Sequence, residues 1–182
     1  YVMFTVLPAA GVLLQERKNW TLQRLASMPV SRAQILGGKL LARFLLGMVQ
    51  YGIVMGFGLL IGANYGSDPL AVLVLMIAFT LCVTAMSLML TTVVRNDAQA
   101  SGVALFLSLT MAPLGGAWWP LEIVPDWMRT VGHISPIAWA MDGFRSLFAY
   151  GGDLSTIVTP VLVLLAAAAV MFVIGVRRFQ YT

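Results

Sequence analysis

The 182-residue chain is 60% hydrophobic and only 10% charged, whereas an ordinary soluble domain carries about 25% charged residues. Its mean hydropathy of +0.90 leaves too little polar surface to face water, which excludes a soluble domain. The net charge of +4 could suit a nucleic-acid-binding protein, but the basic residues flank apolar stretches, so no nucleic-acid partner is expected. A single cysteine, Cys82, excludes an intrachain disulfide and a cysteine metal cluster.

Five uncharged stretches follow one another along the chain. About 20 apolar residues in a helix cross a bilayer, and a helix bonds all its backbone polar groups within its own segment, as hydrocarbon requires. We therefore predict an all-α, polytopic integral membrane protein, with one domain over 1–182 and an incomplete first span. The five predicted spans lie within 1–15, 44–65, 70–94, 98–121 and 154–176.

The basic residues predict the orientation of these spans, because positively charged loops stay in the cytoplasm. If the spans alternate, nine of the 11 basic residues fall on one side, leaving Arg129 and Arg145 opposite. Lys39 and Arg43 are expected to snorkel to the cytoplasmic interface. The C-terminus is predicted to be cytoplasmic and Tyr1 to lie outside, so we expect a truncated N-terminus and six spans in the complete protein.

The loop over 15–35 contains a short predicted helix. Asn19 can cap a helix over 20–28 that has one apolar side, and Pro29 ends it. This helix is too short to span a membrane. Two interpretations are open: it docks into a groove of a partner and passes motion to the membrane helices, or it rests on lipid headgroups. The residues alone favour the second, because such interfacial helices are common.

A pattern of charged, apolar and turn-forming residues extends through this loop: Glu16, Arg17, Thr21, Leu22, Leu25, Pro29, Ser31, Arg32, Ile35, Leu36, Gly38 and Lys39. It resembles the ABC-2 transporter permease family, the membrane subunits of ABC exporters. The resemblance implies that 20–28 is a coupling helix that contacts a nucleotide-binding subunit. Trp20 stands where family members often have glycine. The residues implied to couple to the ATPase are Glu16, Arg17, Trp20, Thr21, Leu22, Leu25, Pro29 and Arg32.

A second segment, over 120–153, lies on the predicted outer side. Apolar residues recur at helical spacing after Pro125 and again over 136–150, while Asp142 and Arg145 can pair one turn apart. Neither helix is long enough to cross the bilayer. The segment is therefore predicted to form a re-entrant or interfacial helical hairpin, with a loop packed on headgroups as the alternative.

The same segment carries Pro120, Leu121, Glu122, Pro125, Trp127, Ser135, Pro136, Ile137, Trp139, Ala140, Asp142, Gly143, Phe144 and Arg145. This pattern again resembles the ABC-2 permease family. The resemblance implies an extracellular re-entrant element that caps or gates the export path. The implied gate residues are Pro120, Glu122, Pro125, Trp127, Pro136, Asp142 and Arg145.

The second predicted span carries two G-x-x-x-G pairs, Gly52 with Gly56 and Gly58 with Gly62. Small residues let helices approach closely, so this face is predicted to pack on another helix or on a second permease subunit.

Catalytic and metal-binding motifs are not found in the sequence. His133 is the only histidine, and we interpret it as a polar contact. The sequence contains no G-x-x-x-x-G-K-[ST] phosphate loop, so this chain is not expected to bind ATP by that route. The resemblance to the ABC-2 family implies that ATP and magnesium bind a partner subunit.

Together these features predict a non-enzymatic permease subunit of an ATP-driven exporter in a bacterial or archaeal cytoplasmic membrane. We expect a homodimer or heterodimer, in contact with lipid and bound to a cytoplasmic ABC ATPase. The expected cargo is an amphipathic or apolar solute that is drug-like, lipid-like or saccharide-linked. The alternatives are an ATPase-independent intramembrane enzyme or sensor, and a membrane scaffold that transports nothing.

Overall fold

The computed structural model describes residues 2–8, 10–11, 32–121 and 123–178. Within these ranges the regular elements are helices and no strand is present, so the all-α prediction is confirmed for the described residues. The helices are α1 (Val2–Val6), α2 (Arg32–Leu60), α3 (Pro69–Leu90), α4 (Asp97–Leu114), α5 (Asp126–Gly132), α6 (Pro136–Ala149) and α7 (Val158–Arg178).

Three of the described helices are long and apolar enough to cross a membrane. They coincide with the second, third and fifth predicted spans. The first predicted span is described only over 2–8 and 10–11, and the fourth forms a shorter helix, so a total of five spans stays a prediction. The three candidate spans are Gly37–Leu60, Pro69–Leu90 and Val158–Arg178.

The fourth predicted span, 98–121, is helical only as far as Leu114. Polar Asp97 opens α4 and lowers its hydropathy, and Gly115 caps its C-terminus. Gly116 then adopts a φ of +79°, a left-handed conformation that glycine reaches without a steric cost. The chain therefore turns seven residues earlier than composition predicts, and the turn places α4 against the two short helices that follow.

One aspartate caps the N-terminus of α3 and also binds the segment that leads into α7. The Oδ1 atom of Asp68 accepts hydrogen bonds from the backbone N–H groups of Leu70 and Ala71, each at 3.1 Å, as an N-cap residue does. Its Oδ2 atom accepts a third from the N–H of Leu154 at 3.1 Å. The segment that leads into α7 is thereby tied to the start of α3.

Helix α3 lies at the centre of the bundle. In its most apolar 18-residue stretch 72% of the residues are buried, against 11% in α2 and 22% in α7. It packs most extensively on α7 and also contacts α1, α2 and α6. Helices α2 and α7 leave broad apolar faces exposed, as expected for surfaces that contact lipid.

Candidate functional site

The predicted coupling loop falls largely outside the described residues. Arg32 is the first residue of α2; the other seven predicted coupling residues lie in the undescribed range 12–31. The contacts of this loop therefore stay a prediction. Those seven residues are Glu16, Arg17, Trp20, Thr21, Leu22, Leu25 and Pro29.

Arg43 lies in the half of α2 nearest the predicted coupling loop and is buried in the bundle. Instead of extending toward the interface as predicted, its side chain is only 7% exposed. Its Nη1 atom donates a hydrogen bond to Oγ of Ser87 on α3 at 3.1 Å. A charge inside a membrane bundle is costly without such partners. Arg43 therefore links α2 to α3, a contact that hydropathy alone did not reveal.

The four glycines of the predicted pairs differ in their surroundings within the described residues, and packing of this face on a second subunit stays a prediction. A Cβ atom added to Gly52 or Gly56 would meet no described atom within 4 Å. One added to Gly58 would collide with the Tyr65 hydroxyl, so Gly58 makes room for the loop after its own helix. Gly62 lies beyond the end of α2 with a φ of +82°, where it serves the turn. Among the described residues, Gly52 and Gly56 are left facing open space.

The ends of α4, α5 and α6 meet at a junction formed by 114–116 and 132–137, which we call the hairpin junction. A Cβ atom at Gly132 would collide with the carbonyl oxygen of Leu114, so the end of α5 touches the end of α4 backbone to backbone. A Cβ atom at Gly115 would lie 2.7 Å from Cβ of Ile137 at the start of α6. Glycine at these positions allows the three helices to approach closely.

Helix α6 begins with a defined cap and packs on the bundle core. The Ser135 hydroxyl accepts a hydrogen bond from the N–H of Ile137 at 3.1 Å, and Pro136 occupies the first turn. A Cβ atom at Gly143 would lie 2.7 Å from Cδ2 of Leu75 on α3. The two short helices thus occur where helical spacing predicted them, while their re-entry into the membrane stays a prediction.

His133 connects α5 to α6. Its Nδ1 atom lies 2.8 Å from the carbonyl oxygen of Arg129, and its Nε2 atom lies 2.7 Å from Oδ2 of Asp142. The indole N–H of Trp139 donates to the His133 carbonyl at 2.8 Å. The predicted polar contact at His133 is confirmed, but its partner was not predicted, since no local spacing connects residues 133 and 142.

The surroundings of His133 favour its charged form. Partial burial and the positive charge of Arg129 lower the pKa of the ring. The hydrogen bonds to the Arg129 carbonyl and to Asp142, with the negative charge of Asp142, outweigh them, so the pKa of His133 is raised above 6.5. The ring is therefore more readily protonated than an ordinary histidine. Asp142 is the predicted gate residue that takes part in the contact with His133.

The other predicted gate residues are dispersed over the segment. Pro136 is buried at the start of α6, whereas Pro120 and Pro125 are exposed and Trp127 is 68% exposed. Arg145 is half-buried one turn beyond Asp142 on α6, and Glu122 lies outside the described residues. Among the described gate residues, Asp142 has a defined partner in His133, and a common gate stays a prediction.

A cavity of about 600 Å³ lies between α1, α2, α3, the end of α4 and α6. Its walls are mostly apolar, with the Gln50 amide as a polar group whose Oε1 accepts from the Thr5 hydroxyl at 2.7 Å. The volume lies within the range of ligand pockets in proteins. Lining residues include Met3, Gln50, Tyr51, Trp118, Met141 and Phe144.

Comparison with known proteins identifies relatives along the whole chain. Residues 1–177 match the family described as ABC-2 family transporter protein. The chain is 35% identical to the linearmycin resistance permease protein LnrN of Bacillus subtilis, over 99% of the chain and 47% of that protein. It is 30% identical to the probable multidrug ABC transporter permease YbhS of Escherichia coli, over 94% of the chain and 47% of that protein.

A further relative is less similar in sequence. The probable doxorubicin resistance ABC transporter permease protein DrrC of Mycobacterium tuberculosis is 27% identical, over 91% of the chain and 62% of that protein. No solved structure matches the chain. The chain spans about half the length of the first two relatives.

Proposed function

Because the chain belongs to the ABC-2 transporter family, we propose that it is the membrane part of a permease subunit that exports its cargo with energy from a separate ATPase. The observation that carries this proposal is the family match over 1–177. It is supported by relatives that are named as permeases rather than as enzymes or scaffolds. ATP and magnesium bind the ATPase subunit, and this chain converts that subunit's motion into movement of its helices.

The coupling element of the proposed permease is the helix over 20–28. It contacts the ATPase on the cytoplasmic side, with Glu16 and Arg17 in the connecting segment. The last residues of the loop form the start of α2, and the buried Arg43 of α2 donates a hydrogen bond to Ser87 of α3 at 3.1 Å. A push on the loop is thereby passed from α2 to the central helix of the bundle.

The proposed cargo is an amphipathic or apolar solute. The names of three relatives refer to linearmycin, multiple drugs and doxorubicin, which favours a drug-like molecule. The apolar cavity of about 600 Å³ would suit the apolar part of such a molecule, and the Gln50 amide could orient a polar group. The hairpin of α5 and α6 is proposed to gate the outer end of the path.

The proposed assembly has five spans in this chain and six in the complete permease, with the C-terminus in the cytoplasm. Two permease subunits, identical or different, form the transport unit. The open space at Gly52 and Gly56 leaves α2 free to receive lipid or the second subunit. The exposed apolar faces of α2 and α7 are in contact with membrane lipid.

Placing a charge on the apolar side of the coupling helix tests this function. Leu25→Arg in the complete permease is expected to abolish export and the stimulation of ATP hydrolysis, because it puts a charge on the side that contacts the ATPase. Glu16→Ala is expected to have the same effect. Export and ATPase activity are measured in proteoliposomes that contain permease and ATPase.

The matched control is Gln23→Arg, which adds the same charge about 200° around the helix, on its polar side. It is expected to leave both activities near wild type. Membrane insertion of all three variants is checked by their yield in the membrane fraction. Export and stimulated hydrolysis at the wild-type level in Leu25→Arg would count against the proposed coupling.

A further inference from the structure

Both ring nitrogens of His133 face hydrogen-bond acceptors. Nδ1 lies 2.8 Å from the Arg129 carbonyl oxygen and Nε2 lies 2.7 Å from Oδ2 of Asp142. A carbonyl cannot donate a hydrogen bond, and an ionised carboxylate also only accepts. A neutral imidazole has one N–H, whereas the imidazolium has two. Only the protonated ring therefore makes both contacts, and deprotonation turns one of them into a contact between lone pairs.

Two further contacts hold the backbone at His133 in place. The Trp139 indole donates to the His133 carbonyl at 2.8 Å, and its ring meets the imidazole edge to face with centroids 5.1 Å apart. Gly132 touches the Leu114 carbonyl. The backbone on both sides of His133 is thus fixed, so the lost contact is not easily replaced by a small shift of the ring.

Among the described residues, two charged groups act on the His133 ring, Arg129 on α5 and Asp142 on α6. The same two helices also carry Asp126 and Arg145. The last turn of α4 brings no charged side chain to the junction. The ring of His133 is 25% exposed and the Asp142 side chain 36%, so protons from the medium reach both groups.

The sign of the pH effect follows from the direction of the shift. The pKa of His133 is raised above its ordinary 6.5, so the contact stabilises the folded hairpin fully below that ordinary value. The stabilisation is lost as the pH rises through the raised value. Acid medium therefore strengthens the link between α5 and α6, and alkaline medium weakens it.

We propose that His133 and Asp142 form a proton-operated latch that fastens α5 to α6, so that the pH of the outer medium sets how readily the hairpin opens. The outer position of this hairpin rests on the function proposed above. The latch itself rests on the two contacts of the imidazole ring. Closing the latch in acid slows release of cargo from the outer end, and opening it in alkali speeds release.

The direct test is an NMR titration of the histidine ring. Isotope-labelled histidine is incorporated into the complete permease, assembled with its ATPase in lipid nanodiscs, and the His133 signal is assigned by its loss in His133→Gln. A titration midpoint above 6.5 is expected in the wild type. Asp142→Asn keeps an oxygen acceptor but removes the charge, so its midpoint is expected to fall below that of the wild type.

Hydrogen exchange of the α5 backbone links this titration to opening. In the wild type, exchange is expected to accelerate several-fold as the pH rises through the midpoint, beyond the intrinsic pH dependence of exchange. In His133→Gln the corrected rate is expected to be flat. A midpoint at or below 6.5, equal midpoints in wild type and Asp142→Asn, or corrected exchange independent of pH in the wild type would overturn the latch.

The two proposals fail in different ways. If the titration and the exchange behave as expected but Leu25→Arg leaves transport intact, the latch stands and the coupling proposal falls. If coupling behaves as proposed but α5 exchange does not follow the titration, the latch falls and the permease function stands.

Discussion

The candidate membrane spans of α2 and α3, 24 and 22 residues long, both suit a bilayer, yet the two helices occupy opposite environments. In the most apolar 18-residue stretch of each helix, 11% of the residues are buried in α2 and 72% in α3. The exposed face of α2 carries large apolar side chains such as Ile53 and Phe57, at 65% and 64% exposure. Buried α3 residues include small and polar ones such as Thr80, Cys82 and Ser87. Lipid is as apolar as a protein interior, so close packing, and not hydropathy, selects the central helix.

The largest expected difference between the two helices comes from removing a leucine side chain. Leu75→Ala on α3, where Leu75 is fully buried, is expected to lower the free energy of unfolding by about 2–5 kcal/mol, because a cavity is left. Leu45→Ala on α2, where Leu45 is 51% exposed, is expected to change it by about 0.5 kcal/mol or less. Unfolding in detergent measures both, and equal losses would contradict the assignment of α3 as the core helix.

Two glycines on α2 test which side of this helix packs against α3. A Cβ atom at Gly47 would lie 2.6 Å from Cγ2 of Thr80 on α3, whereas one at Gly52 meets open space. Gly47→Val is expected to cost about 1–3 kcal/mol through overpacking, measured by the same unfolding assay.

The matched variant Gly52→Val is expected to leave the stability of the isolated subunit unchanged. If the second permease subunit covers this face, the same variant weakens dimerisation, which analytical ultracentrifugation in detergent detects. A large loss of subunit stability in Gly52→Val would show that the face is packed within the chain.

The smallest expected effect concerns a single hydroxyl on α3. Ser87→Ala removes the acceptor for the Arg43 guanidinium and is expected to cost about 0.6–2 kcal/mol, the range for interhelical hydrogen bonds in membranes. Ser108→Ala on α4 is the control, since the Ser108 hydroxyl is buried without a hydrogen-bond partner among the described residues. Its removal is expected to be neutral or slightly stabilising. Equal costs would mean that the Arg43 contact contributes nothing.

The helices were largely predictable, because bilayer thickness and backbone hydrogen bonding limit what an apolar stretch can form. Stretches 70–94 and 154–176 correspond closely to α3 and α7. The two short helices α5 and α6 followed from apolar spacing. The C-terminal end of α4 was predicted wrongly, because the sequence stays uncharged past Leu114 although the helix ends there and the backbone turns at Gly115.

The packing of the helices against one another was not predictable from the sequence. The burial of α3 and of Arg43 depends on neighbours, and the chain's hydropathy does not distinguish a lipid neighbour from a protein one. The contact between His133 and Asp142 depends on how α5 and α6 pack together, which no local sequence pattern reveals. The coupling residues were assigned by family resemblance, and Leu25 and Glu16 are to be tested by substitution.

The most direct test of the account is the side of the membrane on which the loop over 15–35 lies. Arg24→Cys adds a thiol to that loop, while native Cys82 is fully buried and so protected from reagents. Thr130→Cys on exposed α5 serves as the control for the opposite side. If the loop is cytoplasmic, an impermeant thiol reagent labels position 130 but not position 24 in intact cells, and labels position 24 once the cytoplasmic face is opened. Labelling of position 24 from outside intact cells would contradict it, since a cytoplasmic ATPase could not contact the loop.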